Sequence, residues 1–245
     1  MKEVYIVKIV LDPGHAGLYN PGKVEGYYES VFNWKLAQLL KDELESGYSV
    51  QVELTKKSLE DDPYLVTRGQ SSAGADLFLS LHTNAAVNND TAAFPLVIYS
   101  LKQQEQADKA KALMTGLQAF ISKNVKKTTG GYIMTREYPG QKGVDYYGVL
   151  RGASGVGTPC FIVEHSFHTN ADWCNFALVD ANVKTLANYE ANLIAQVFNI
   201  PKRAADKKAL YIVQAGAFSV KENAEALVRK LKLAGFPACI VLKED

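Results

Sequence analysis

The chain has 245 residues, of which 47% are hydrophobic and 22% charged. This composition is typical of a folded globular protein rather than a disordered or fibrous one. Lysine and arginine total 27 and aspartate and glutamate total 26, so the chain lacks the positive field that draws proteins onto nucleic acid or anionic lipid. No stretch approaches the roughly 18 consecutive apolar residues of a membrane-spanning helix. We therefore expect a packed core, no nucleic-acid partner and no membrane insertion.

The N-terminal segment leads directly into an apolar run that is typical of a strand. Charged residues stand at Lys2, Glu3 and Lys8, which leaves no room for the apolar region and cleavage site of a signal peptide. The sequence therefore predicts synthesis in the cytoplasm without a signal peptide.

Short apolar runs alternate with amphipathic stretches through residue 200. In the first amphipathic stretch Phe32, Leu36 and Leu40 recur at helical spacing. Such alternation is typical of an α/β domain with a mixed, largely parallel sheet flanked by helices. In chain order, the sequence predicts strands over 4–11, 50–54, 77–81 and 160–163, and helices from Glu29, over 68–74, after Lys102 and over 186–198.

The last part of the chain has a different organisation. Residues 201–208, PKRAADKK, contain no large apolar side chain and are predicted to be a linker. Residues 209–245 are predicted to form a β-α-β unit with strands in LYIVQAGAF and ACIVL. Because the unit has only about 37 residues, below the roughly 40 at which domains commonly need help to fold, we expect it to pair with another surface. The predicted domains are therefore 1–200 and 209–245.

Three chemically capable side chains directly follow predicted strands. His15 follows KIVLDPG, His82 follows LFLSL and Glu164 follows CFIV. Since the carboxyl ends of parallel strands line the ligand crevice of open α/β sheets, we expect the three side chains to share one site. Both histidines stand among small residues that suit exposed turns, and neutral imidazoles are common zinc ligands. A core or surface position is the alternative for each histidine.

A catalytic zinc ion typically has three protein ligands, and two histidines with one carboxylate are a known set. Glu29, at the start of the first predicted helix, is the carboxylate that we favour. Glu25 and Asp12 are alternatives because they are also close to His15 along the chain. A solvated glutamate is equally compatible with the position of Glu29, since the helix dipole favours acidic residues there. Spacing alone leaves the choice open.

Glu164 is the predicted catalytic base. A carboxylate directly after an apolar strand is costly to desolvate unless it has a partner or a chemical role. A zinc-activated water would provide that role, because a neighbouring carboxylate can accept its proton as the water attacks a carbonyl. The alternative is a buried ion pair with an arginine.

Other hydrolytic chemistries find little support in the sequence. The segment GASGV around Ser154 lacks the second glycine of a GxSxG nucleophile elbow, and no GKS or GKT of a P-loop is present.

His165 and His168 follow Glu164, and Asn84 stands in the LHTNAA segment. We predict that these three side chains contact substrate, with a purely structural place in the wall of the site as the alternative.

Four motifs occur in order: IVLDPGHAG, Glu29 opening a helix, TRGQSSAGADLFLSLHTNA and TPCFIVEHSFHTN. Together they resemble the zinc-dependent N-acetylmuramoyl-L-alanine amidases of bacterial autolysins and phage endolysins, over residues 5 to 200. The resemblance implies that His15, Glu29 and His82 bind Zn2+ and that Glu164 is catalytic. The segment HSFHTN departs from the small-residue turn that is commoner in the family, which concerns the substrate contacts.

The tail segment YIVQAGAFSVKENAEALVRKLKLAGFPACIV resembles the SPOR domain, a peptidoglycan-binding module. A full module is about twice as long, so the tail resembles its first β-α-β half. We therefore expect tail-to-tail pairing into a homodimer.

The resemblance implies hydrolysis of the amide between N-acetylmuramic acid and the L-alanine of the stem peptide. The implied partner is peptidoglycan, reached after release from the cell, as for an endolysin or an autolysin that lyses a mother cell. A zinc peptidase that cleaves within the stem peptide is one alternative. A non-catalytic cell-wall-binding protein is an alternative of another class.

Overall fold

The structure, a computed structural model, describes residues 6–87, 89–126, 128, 130–203 and 214–242. Contacts divide the chain into two compact units, residues 1–204 and 205–245. This division falls inside the predicted linker, while the predicted domain bounds themselves stay a prediction. Within the described ranges, no helix combines the length and the apolar character needed to cross a membrane.

The described part of the first unit consists of strands and helices that alternate along the chain. The strands are β1 (Val7–Pro13), β2 (Val50–Leu54), β3 (Leu77–Asn84), β4 (Leu96–Tyr99), β5 (Tyr132–Met134), β6 (Glu137–Tyr138), β7 (Gln141–Asp145) and β8 (Cys160–Phe167). The helices are α1 (Glu29–Gly47), α2 (Leu65–Gln70), α3 (Ala107–Asn124), α4 (Gly148–Gly155), α5 (Ala171–Ala177) and α6 (Asp180–Val197). A short 3-10 helix, Gln104–Gln106, precedes α3.

Six strands form one sheet in the order β2-β1-β3-β8-β4-β5. The first four are parallel to one another, whereas β4 is antiparallel to β8 and parallel to β5. Strands β6 and β7 form a separate antiparallel pair. The predicted mixed, largely parallel sheet flanked by helices is therefore confirmed.

Helices cover both faces of the sheet, as the nearly continuous apolar character of its central strands requires. Alternate residues of these strands point to opposite faces. The larger core packs α1, α3 and α6 against one face, where Leu79 and Val163 are buried. The smaller core packs α4 against the other face, where Phe78 and Ile162 are buried.

Helices α2 and α4 pack backbone to backbone. A Cβ atom at Gly69 would lie 2.1 Å from the carbonyl oxygen of Val149, and one at Gly152 would lie 2.1 Å from that of Val66. Glycine is therefore required at both positions. This close packing places Arg68, the neighbour of Gly69 in α2, at the end of β1.

Two strands that carry candidate site residues are longer than predicted. Strand β3 continues through Asn84 and β8 continues through Phe167, because the two strands stay paired past the predicted ends at 81 and 163. His82 and Glu164 therefore lie within strands rather than after them. The predicted helix over 68–74 is also shifted, since α2 occupies Leu65–Gln70. Strands β4 to β7 and helices α4 and α5 were not predicted.

The described part of the second unit contains one helix, α7 (Lys221–Leu233). Residues 214–220 and 234–242 are not paired as strands, so the described part of the tail does not show the predicted β-α-β pairing. A strand requires a neighbouring strand for its N–H and C=O groups, and these segments have no strand partner among the described residues. The start of the first predicted strand, residues 210–213, lies outside the described residues.

Candidate metal centre

Glu29 lies at the centre of the candidate site. It is the first residue of α1 and only 1% exposed. Its Oε1 lies 3.0 Å from Nδ1 of His82, and its Oε2 lies 3.3 Å from Nε2 of His15. One ligand-capable atom from each of the three side chains lies within 4.8 Å of the others. Two imidazoles and a carboxylate form a donor set that zinc prefers.

Further donors fix the Glu29 carboxylate. Asn20 Nδ2 donates to Oε2 at 2.5 Å, and the backbone N–H of Thr83 donates to Oε1 at 2.9 Å. Burial by itself would raise the pKa of Glu29, but the hydrogen bonds with His15 and His82 outweigh it, so that the pKa lies well below its ordinary value. For His82, burial would lower the pKa, and Glu29 raises it overall. Glu29 is therefore a carboxylate at neutral pH.

His15 lies in a tight turn directly after β1. Its φ of 62° is in the left-handed region, which is sterically unfavourable for a residue with a side chain. At the neighbouring Gly14, a Cβ atom would lie 2.2 Å from Cε1 of His82. Only glycine allows the turn to approach the His82 ring this closely, so this turn determines the spacing of the two imidazoles.

The alternative carboxylates do not join this cluster. Asp12 is fully buried and pairs with Arg68, whose Nε donates to Oδ1 at 2.7 Å. It also accepts hydrogen bonds from the hydroxyl groups of Ser80 and Thr55. Glu25 is exposed. The tertiary structure therefore brings Glu29, and neither alternative, to the two histidines.

Glu164 lies beside His82 in the sheet. The two residues are register partners in the parallel pair β3 and β8, and such partners point to the same face from strands about 4.8 Å apart. Glu164 is half-buried, and its Oε2 is buried without a hydrogen-bond partner among the described residues. Burial raises the pKa of Glu164 to about 7, with His82 lowering it and Glu29 raising it by smaller amounts. The carboxyl group can therefore exchange a proton near neutral pH.

Comparison with known proteins places the chain in a family. A sequence profile described as N-acetylmuramoyl-L-alanine amidase (Amidase_3) matches residues 9–196. The chain belongs to this family. A SPOR domain profile matches residues 186–244, a range that begins inside α6. The family suggested by the four sequence motifs is confirmed.

Individual relatives agree with this assignment. The sporulation-specific N-acetylmuramoyl-L-alanine amidase of Bacillus subtilis (strain 168) is 28% identical over 254 residues, 98% of this chain and 86% of the relative. The N-acetylmuramoyl-L-alanine amidase of Clostridium difficile 630 aligns with a TM-score of 0.62 at 21% identity, over 79% of this chain and 97% of that one. Cwp6 from Clostridium difficile aligns with a TM-score of 0.64 at 22% identity, over 79% of this chain and 29% of that one. These two structures show the shared fold.

The predicted substrate contacts of this amidase occupy different places. His165 is fully buried. Its Nδ1 lies 3.0 Å from the carbonyl oxygen of His82, and its Nε2 lies 3.1 Å from Glu190 of α6. It therefore supports β3 from behind the site, and full burial argues against the predicted substrate contact. His168 Nδ1 lies 3.7 Å from Oε2 of Glu29, and Asn84 is half-buried, so their substrate contacts stay predictions.

Three residues that shape the site were missed in the sequence. Asn20 donates a hydrogen bond to Glu29. Its φ of 50° lies in the left-handed region, which asparagine tolerates well. The Asn-Pro pair, which is typical of a turn, was the sequence signal that could have identified it. Arg68 pairs with Asp12, and Lys56 donates to the carbonyl oxygen of His15. Burial, together with nearby Arg68, lowers the pKa of Lys56 to about 8. No spacing rule connects these two cations to His15.

Proposed function

We propose that this amidase hydrolyses the bond between the lactyl group of N-acetylmuramic acid and the L-alanine of the stem peptide, using zinc bound by His15, Glu29 and His82. The arrangement around Glu29 carries the proposal, since the three ligand-capable atoms lie within 4.8 Å of one another. Glu164 is the proposed catalytic residue, because it is the register partner of His82.

The residues present fit a zinc ion. Glu29 is a carboxylate at neutral pH, is buried, and already interacts with both imidazoles, which is the donor set of several catalytic zinc sites. Zinc bound there would polarise the substrate carbonyl and lower the pKa of the attacking water toward about 7. The hydrogen bonds from Asn20 and Thr83 keep the carboxylate in place.

Glu164 moves the proton. The Glu164 side chain is half-buried beside His82, so the accessible part of its carboxyl group can accept a proton from water as the water attacks the carbonyl carbon. The same carboxyl group then donates the proton to the departing amide nitrogen, which leaves as the amino group of L-alanine. A pKa of about 7 suits both steps at neutral pH.

Digestion of purified cell wall tests this proposal. We expect untreated protein to clear the wall suspension and to release new N-terminal alanine without new reducing sugar ends. A chelator should abolish clearing and added zinc should restore it. New termini from within the stem peptide would indicate the zinc peptidase instead. Wall binding without any new terminus would indicate a non-catalytic binding protein and contradict the proposal.

We further propose that the tail binds peptidoglycan as a paired SPOR-like unit in a homodimer, acting on the wall after release. None of the residues in α7 is buried, and Leu233 is 89% exposed. Apolar side chains left exposed in so small a unit favour association with a second copy.

The mass of the full chain at micromolar concentration tests this pairing. We expect a dimer for the wild type and a monomer for Leu233→Ser. Tyr64→Ser is the control, since Tyr64 is 87% exposed but lies in the first unit. A monomeric wild type would contradict the dimer.

A further inference from the structure

Three successive backbone carbonyl oxygens, those of residues 13–15 in the turn that carries His15, each accept a hydrogen bond from a side chain. Arg68 Nη2 donates to the first at 3.0 Å, Asn33 Nδ2 donates to the second at 3.3 Å, and Lys56 Nζ donates to the third. The donors come from α2, from α1 and from the segment after β2. Three separate parts of the fold therefore converge on one turn.

Lys56 is the most unusual of the three donors. Lysine side chains rarely lie in the interior, yet Lys56 is only 4% exposed. Its ammonium lies 6.0 Å from the ring centroid of Trp34, and the buried charge of Asp12 partly compensates it. Burying a cation is costly because the charge loses its water. The buried position of Lys56 therefore indicates a specific structural role for its contact with the carbonyl oxygen of His15.

The conformation of His15 provides that reason. Its positive φ is unfavourable for a residue with a side chain, so the turn requires external contacts to remain in this form. The charge-assisted bond from Lys56 is stronger than one between neutral groups, and it acts on the carbonyl of His15 itself. This bond therefore acts directly on the peptide group of the residue whose backbone is strained.

We propose that Lys56 is a positioning residue for the metal ligand His15, and that it sets the affinity of the site for zinc without touching metal or substrate. This inference rests on the proposed function. Partners that orient metal ligands typically change metal affinity about 10–100-fold when they are removed. Of the other two donors, Arg68 also pairs with Asp12 and Asn33 also donates to Glu29, so replacing either would disturb a second buried contact. Lys56 is therefore the donor to alter.

The test compares variants of the full chain by zinc affinity, measured in competition with a chromogenic chelator, and by kcat and KM on purified wall. We expect Lys56→Met to bind zinc about 10–100-fold more weakly and to have a lower kcat at unchanged KM. Lys56→Arg should recover most of the zinc affinity and most of kcat, because arginine keeps a charged donor.

Lys41→Met is the matched control. Lys41 Nζ also donates to a backbone carbonyl oxygen, that of Val52, at 2.5 Å, but Val52 lies in β2 and not in the site. This variant should keep zinc affinity and kcat within about two-fold of wild type, even where its melting temperature falls. A merely structural role of Lys56 would give the same pattern for Lys56→Met.

If folded Lys56→Met binds zinc as tightly as the wild type does, the inference is overturned. If that variant does not fold, Lys56→Gln replaces it, with an expected loss between those of the arginine and methionine variants, and wild-type affinity in it overturns the inference equally. If the wild type itself neither binds zinc nor releases N-terminal alanine, the proposed function fails instead. The two failures are therefore distinguishable.

Discussion

Glu164→Gln should lower kcat on purified cell wall by about 10²–10⁴-fold, the usual contribution of a general acid or base, while zinc stays bound. Glutamine has nearly the same shape as glutamate but cannot accept and return a proton. The three proposed ligands do not include Glu164, so metal content should equal that of the wild type. Turnover and zinc content are measured on the same preparation.

Glu53→Gln is the control for this prediction. Glu53 is an exposed strand glutamate in β2 that pairs with Lys8 at the surface, and its replacement should leave turnover unchanged. Full activity of Glu164→Gln would contradict the mechanism. Loss of zinc together with activity would instead assign Glu164 to the metal ligands.

Glu164→Gln should also be more stable than the wild type at alkaline pH when metal is absent. The pKa of Glu164 is raised from 4.5 to about 7 by burial, so the neutral carboxyl group is favoured in the folded state. Its contribution to stability is fully present below about pH 4.5 and is lost as the pH rises through 7. Glutamine stays neutral, so Glu164→Gln should gain up to about 3 kcal/mol at pH 8 and little at pH 5. Thermal unfolding in the presence of chelator measures the stability difference at pH 5 and at pH 8. An equal gain at both pH values would exclude titration of Glu164 as its cause.

Glu29→Gln should weaken zinc binding by at least about 100-fold, beyond the 10–100-fold typical of groups that only orient a ligand. The amide can still accept the hydrogen bond from Thr83 N, so the fold should persist. The negative charge shared by His15 and His82 is lost, and with it the affinity for a divalent cation. Zinc titration of the metal-free protein measures the effect, and wall clearing should fall in parallel.

Glu25→Gln gives the matched comparison, because Glu25 lies close to Glu29 in the chain but is exposed. Its zinc affinity and activity should equal those of the wild type. Wild-type zinc affinity in Glu29→Gln would remove Glu29 from the ligand set. Weak binding in the Glu25 variant would transfer the carboxylate role to Glu25.

The alternation of apolar runs and amphipathic stretches was sufficient to predict the fold class, because strands and helices have different periods of burial. Helix α1 begins at Glu29 as predicted, and its apolar positions are buried at helical spacing. Shorter elements were missed, since β5 and β6 have only three and two residues and such segments carry no periodic signal. The ends of β3 and β8 were also placed too early, because most of the residues beyond 81 and 163 are polar. Their strand conformation depends on pairing between segments that are far apart in the chain.

The sequence by itself was sufficient to predict the family and to select His15, His82 and Glu164 as candidate site residues, because these stand in recognisable motifs at the ends of apolar runs. Only the tertiary structure decided among the carboxylates. Asp12 is paired with Arg68, whereas Glu29 is buried against both imidazoles. The reason is that pairing of buried charges depends on contacts between residues far apart in the chain, as between Lys56 and His15, and chain spacing contains no information about such contacts.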